Sequence, residues 1–140
     1  MLRLRSQLSP VVTDTAPSAF DAPVVRGEVT PELVERLSFP SSWVWGPSVD
    51  EGPPPHGETI LLKREFEPRA PIRSAGLIAA ADNAFVLFLN NKPVLRGEHW
   101  SNLEAAPVRR HLRPGSNILL VRAENRGPKP NPAGVFAALR

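Results

Sequence analysis

The chain has 140 residues, 41% hydrophobic and 22% charged, with 17 prolines, no cysteine and a net charge of +3. That balance suits one globular domain with a real core and excludes a disordered or fibrous chain. Without cysteine there is no disulfide, thiolate metal site or thiol nucleophile, and no apolar run nears the roughly 18 residues of a membrane span.

Residues 1–40 differ from the rest. Met1 to Arg5 are basic, but no apolar stretch follows, so no secretory signal peptide is read there. Ser, Thr, Pro and Ala dominate up to Pro23, and Met1 to Ser18 are expected to be a linker or poorly ordered. Val24-Val25 suits a short strand. Thr30 as N-cap, Pro31 in the first helical position and Glu32 in the first turn predict a short helix over 31–37. The chain therefore divides into an N-terminal extension, 1–40, and a β domain, 41–140.

From Trp43 onward the pattern is β. Trp43 and Trp45 alternate around Val44 and are expected to pack in the core or at its edge. Pro53, Pro54 and Pro55 place 50–57 in a surface loop. Thr59–Phe66 reads as a half-buried strand, with Ile60, Leu62 and Phe66 on one face and Lys63 and Glu65 on the other. Small apolar residues over Ile72–Ala81 suit a closely packed central strand. Asp82-Asn83 then turns the chain into Ala84–Leu89, which is apolar on both faces and so must be covered on both sides. Asn90-Asn91 supplies two residues tolerant of positive φ, as a tight hairpin needs, before Pro93–Arg96.

Ser101–Pro107 reads as a loop and Val108–Leu112 as a short ordered segment. Asn117–Asn125 is the cleanest alternation, with Leu119, Val121 and Ala123 on one face. After a loop at Gly127–Pro132, Gly134–Leu139 forms a last strand. About seven short strands separated by Gly, Pro and Asn turns predict an all-β antiparallel sandwich or barrel.

Signals for catalysis are sparse. His56, His99 and His111 fall in loops or at element ends, and no serine sits in a Gly-x-Ser-x-Gly elbow. The histidines lack metal-ligand spacing, no two of Asp82, Glu98, Glu104 and Glu124 stand out as a carboxylate pair, and no Gly-rich phosphate loop is present. Arg109, Arg110 and Arg113 are the one basic cluster, too sparse for a nucleic-acid footprint and readable as solvated surface charge. Asp82-Asn83 admits two readings: a turn capped by its own side chains, or a site for sugar hydroxyls or a calcium ion. Trp100, beside Glu98 and His99, is either a platform for the apolar face of a sugar or a lid on the end of the sandwich.

Several motifs occur in a fixed order: Trp43-Val44-Trp45; Leu62 to Phe66; Ala81-Asp82-Asn83-Ala84-Phe85 running to Asn90-Asn91-Lys92; Glu98-His99-Trp100; Leu112 to Asn117 continuing through Val121, Ala123 and Asn125; and Pro132-Ala133-Gly134-Val135. In these, Trp43–Arg140, 98 of the 140 residues, resembles the galactose-binding-domain-like jelly roll. That module is an accessory domain of many glycoside hydrolases, including rhamnosidases and β-galactosidases. Asn91 departs from the pattern, which usually has glycine there, and residues 1–40 have no counterpart.

The resemblance implies a jelly-roll β-sandwich and a non-catalytic carbohydrate-binding or accessory module of a larger protein; it points outside the cytoplasm, while the residues themselves leave the compartment open. The alternative is a structural domain that docks on a neighbouring protein domain and binds no small molecule. No cofactor is implied, although a structural calcium ion is compatible with the fold. With the loop tryptophan, the resemblance places a ligand at a loop end of the sandwich, lined by Trp100, His99, Asn83 and Asn125. No sugar contact carries over from the family residue by residue, because its loops vary.

Overall fold

The computed structural model describes residues 43–46, 52–69 and 71–140. The expectations for Met1 to Ser18, Val24-Val25, the helix over 31–37 and the boundary near residue 40 lie outside the described residues. Seven strands run β1 Thr59–Phe66, β2 Gly76–Asp82, β3 Ala84–Leu89, β4 Lys92–Gly97, β5 Glu104–Pro107, β6 Asn117–Glu124 and β7 Gly134–Leu139. They form two antiparallel sheets, ordered β1-β6-β3-β4 and β5-β2-β7. The result is an antiparallel β-sandwich of jelly-roll type.

Side-chain alternation sets what each sheet turns inward. On β6 the burial strictly alternates, with Leu119, Val121 and Ala123 inside. The register then builds rows across the sheet: Leu62, Val121, Leu87 and Leu95 in one, and Ile60, Ala123 and Phe85 in the next. The facing sheet answers with smaller groups, pairing Leu77 with Leu139, Ala79 with Ala137 and Ala81 with Val135. Large residues on one sheet and alanines on the other let the layers interdigitate closely.

As its two-faced apolar pattern requires, β3 is covered on both sides: Phe85, Val86, Leu87 and Leu89 are fully buried. Val86 points away from the main core, flanked in register by Arg96 and Arg122, side chains long enough to cover it. A second small apolar cluster of Ile78, Ala105 and Ala138 occupies the other face of the β5-β2-β7 sheet, with Leu103 and Phe136 packed on it.

Asn90 and Asn91 adopt φ of 52° and 67° and close a two-residue hairpin between Leu89 and Lys92. Opposite each other on β3 and β4 stand Phe85 and Gly97. A Cβ at Gly97 would lie 2.5 Å from Phe85 Cε1, so the ring occupies the space that a side chain would need.

Two expectations shift. The loop read at Ser101–Pro107 contains β5: Ala105 and Ala106 are too few and too small to show an alternation, and pairing with Ile78 and Leu77 makes the strand. The strand read from Ile72 begins at Gly76; the Ile72 carbonyl instead accepts a hydrogen bond from Arg109 Nε. The short ordered segment read at Val108–Leu112 is a 3₁₀ turn at Arg109–His111, as expected of it.

Replacing Gly97 by alanine forces the Phe85 ring to move in a full core. A loss of about 1–3 kcal/mol in urea unfolding is expected, and an unchanged midpoint would show that the ring has room to yield.

Candidate functional site

β2 and β3 meet at one end of the sandwich through Asp82 and Asn83, and Asp82 pairs with Gly134 at the start of β7. Beside them lies a solvent-open cleft of about 220 Å³, lined by Trp43, Asp82, Trp100, Pro132, Ala133 and Gly134. Trp43 and Trp100 are 48% and 63% exposed, the large hydrophobic side chains left open among the described residues. Both line this one cleft, an unusual display of aromatic surface for a chain that could have buried it.

The backbone explains the first tryptophan. Val44 forms an isolated antiparallel bridge with Val135, its N–H donating to the Val135 carbonyl at 3.0 Å and its carbonyl accepting from Val135 N at 2.9 Å. Trp45 is buried, 6% exposed, and its Nε1 donates to Glu58 Oε2 at 2.8 Å. Trp43 turns outward and lies on Gly134, where a Cβ would stand 3.0 Å from Trp43 Cε3. The second tryptophan comes from the connection between β4 and β5, turned by Asn102 N donating to the His99 carbonyl at 3.1 Å.

Asp82 supplies the charge. Its Oδ1 accepts from Asn83 Nδ2 at 2.6 Å, and Asn83 Oδ1 accepts from the backbone N–H of Arg126 at 2.6 Å. Asn83 thus ties the β2–β3 connection to the segment after β6 and presents its amide to the carboxylate. The Asp82–Asn83 peptide is cis. Burial pushes the Asp82 carboxyl above its ordinary value, because partial desolvation disfavours the charged form. The guanidinium of Arg126 lies 3.3 Å from Glu124 and 4.0 Å from Glu98, exposed pairs of little energetic weight.

Asn125 is fully buried. Its Nδ2 donates to the carbonyls of Pro54 at 3.0 Å, Pro55 at 3.1 Å and Asn131 at 3.4 Å, while its backbone bonds Glu58 and Gly57. The side chain anchors the two loops beside the cleft and is withdrawn from the surface.

The four residues expected at the site therefore separate. Trp100 lines the cleft, and Asn83 stands behind Asp82. His99 is exposed but absent from the lining, and Asn125 is interior. Trp43, expected to pack, and Asp82, read as a turn cap or a ligand group, belong to the lining. Residues two apart in an extended segment share a side, so the spacing of Trp43 and Trp45 carried no signal that the first stays exposed while the second is buried. Among the described residues no three of His, Asp and Glu gather as a metal site, and no helix is long and apolar enough to cross a membrane.

No protein-family model and no curated protein matches the chain. Solved structures do. An α-L-rhamnosidase from Streptomyces avermitilis, in complex with L-rhamnose, is similar at 26% identity and a TM-score of 0.62. A Bacillus sp. GL1 rhamnosidase is similar at 25% and 0.61, and a lectin from Pleurotus ostreatus at 26% and 0.58. These matches cover 71%, 73% and 71% of this chain but only 10%, 12% and 28% of the respective proteins. The chain is thus similar to galactose-binding-like jelly-roll modules, and spans a small part of the proteins it resembles.

Asn125→Ala should cost about 1–3 kcal/mol by stranding loop carbonyls in the interior, read by denaturant unfolding. For Asp82, the folded chain holds the proton more tightly than the unfolded chain. Stability is therefore full below the ordinary 3.8 and falls as pH rises through the raised folded value. Relative to Asp82→Asn, the wild-type melting temperature should drop as pH rises from below the ordinary carboxylate range through it and past it. A pH-independent difference would refute the burial account.

Proposed function

We propose that the chain is a non-catalytic module that binds carbohydrate in the Trp43–Asp82–Trp100 cleft, as an accessory part of a larger protein. The observation that carries this reading is the presence of two exposed tryptophans and a carboxylate in one open cleft. An indole face stacks on the apolar C–H face of a pyranose, and a carboxylate accepts hydrogen bonds from neighbouring hydroxyls. The likeness to rhamnosidases and a lectin supports carbohydrate as the ligand class.

The lining also supports a binding role over hydrolysis. Glycoside cleavage uses two carboxyl groups flanking the bond, and among the described residues Asp82 is the one titratable side chain lining this cleft. Stacking contributes about 0.5–1.5 kcal/mol per ring and a charged hydrogen bond about 1.5–3 kcal/mol, against several kcal/mol for association. The expected affinity is therefore weak, on the order of 0.01–1 mM.

Titration with neutral and charged oligosaccharides, followed by tryptophan fluorescence and calorimetry, tests the reading. Trp100→Ala should weaken binding by about tenfold or more and leave the melting temperature nearly unchanged, since the ring is 63% exposed. Absence of binding to any glycan, or binding indifferent to Trp100→Ala, would overturn it.

A further inference from the structure

The cleft is one-sided in charge. Asp82 is its ionisable group; two indoles, Pro132, Ala133 and Gly134 make up the rest. Among the described residues the carboxylate is in no ion pair, and the side chain that bonds it is the neutral amide of Asn83 at 2.6 Å. Arg126, which follows closely behind Asn83, directs its guanidinium to Glu124 and Glu98. Among the described residues the cleft therefore presents a negative charge and two aromatic side chains, with no cation in its lining.

We infer that the sugar selected by this cleft carries a protonated amino group, as a hexosamine with a free ammonium does, in preference to neutral or acidic sugars. This rests on the carbohydrate reading above and narrows it. An ammonium group is attracted both by the face of an indole and by the Asp82 carboxylate, so a single substituent satisfies both features of the lining. A neutral hydroxyl meets only the carboxylate and leaves its charge uncompensated. A uronic acid brings a like charge into a partly desolvated cleft and is rejected. Acetylation of the amine removes the positive charge and adds bulk, so the free amine and its acetamide differ in the property the cleft reads. Burial already disfavours the charged carboxylate, and a bound cation offsets that penalty where a neutral ligand does not.

The test uses the 140-residue chain and two oligosaccharides of equal length, a β-1,4-linked glucosamine oligomer and its fully N-acetylated form. A galacturonic acid oligomer and choline serve as further probes. Tryptophan fluorescence and calorimetry should show the glucosamine oligomer binding about tenfold tighter than the acetylated one. The preference should shrink as salt is raised. Asp82→Asn should remove the preference while residual sugar binding remains, and Trp100→Ala should weaken both ligands.

Equal or tighter binding of the acetylated oligomer, sensitive to Trp100→Ala, would overturn the ammonium inference and leave the carbohydrate reading standing. Glucosamine-oligomer binding that is unchanged in Asp82→Asn would reveal general attraction of a polycation and also overturn it. Binding of choline with no oligosaccharide bound, or no binding at all, would overturn both. The comparison of the two oligomers on the unmodified chain needs no variant, so a poorly folding Asp82→Asn leaves it decisive.

Discussion

Two buried asparagine amides hold the ends of the central strand β6, and the loops at both ends of the sandwich hang on them. Asn117 opens the strand and Asn125 follows it, and these are the fully buried polar side chains among the described residues. Asn117 Nδ2 donates to the carbonyls of Arg113 and Gly115, and its Oδ1 accepts from Arg113 N and from Asn90 Nδ2. Asn90 also reaches the backbone of His111 and Ile118, locking the β3–β4 hairpin to the start of β6. A buried amide left without partners is costly, so each such residue requires its surrounding loops to take one arrangement.

The same constraint reaches the cleft. Asn125 gathers the carbonyls of Pro54, Pro55 and Asn131, and Asn131 leads directly into Pro132, Ala133 and Gly134 of the cleft wall. Asn83 ties Asp82 to Arg126 one residue after that anchor. Trp43 rests on Gly134 and precedes Val44, whose backbone bonds that of Val135. Three of the lining residues therefore sit on or against strand ends rather than in free loops. A surface held in this way loses little conformational entropy on binding, which matters most where the gross interaction is small.

Much of the fold was legible from short-range pattern. The Asn90-Asn91 hairpin followed from two residues that tolerate positive φ. The inward face of β6 followed from strict alternation, and the double cover of β3 from apolar residues on both sides. β5 was not legible, because four residues with two adjacent alanines carry no period and become a strand only by pairing with β2. At the site, the sequence singled out Trp100 as chemically conspicuous, but composition could not separate Trp43 from Trp45. Asn125 looked like a polar loop group, yet it turns inward because three loop carbonyls converge there.

The sequence by itself determined where strands lie, which way their side chains face and that catalytic signatures are sparse. These properties depend on neighbours within a few positions, since strand period, turn conformation and proline geometry are local. Only the tertiary structure decided which polar groups are spent inside and which remain available at the surface. Asn125 and Asp82 are each at the end of a strand, and both read as plausible ligand groups. The carbonyls of residues 54, 55 and 131 take up the Nδ2 of the first. The second keeps its carboxylate beside two exposed indoles, because Trp43 and Trp100 arrive there from opposite parts of the chain.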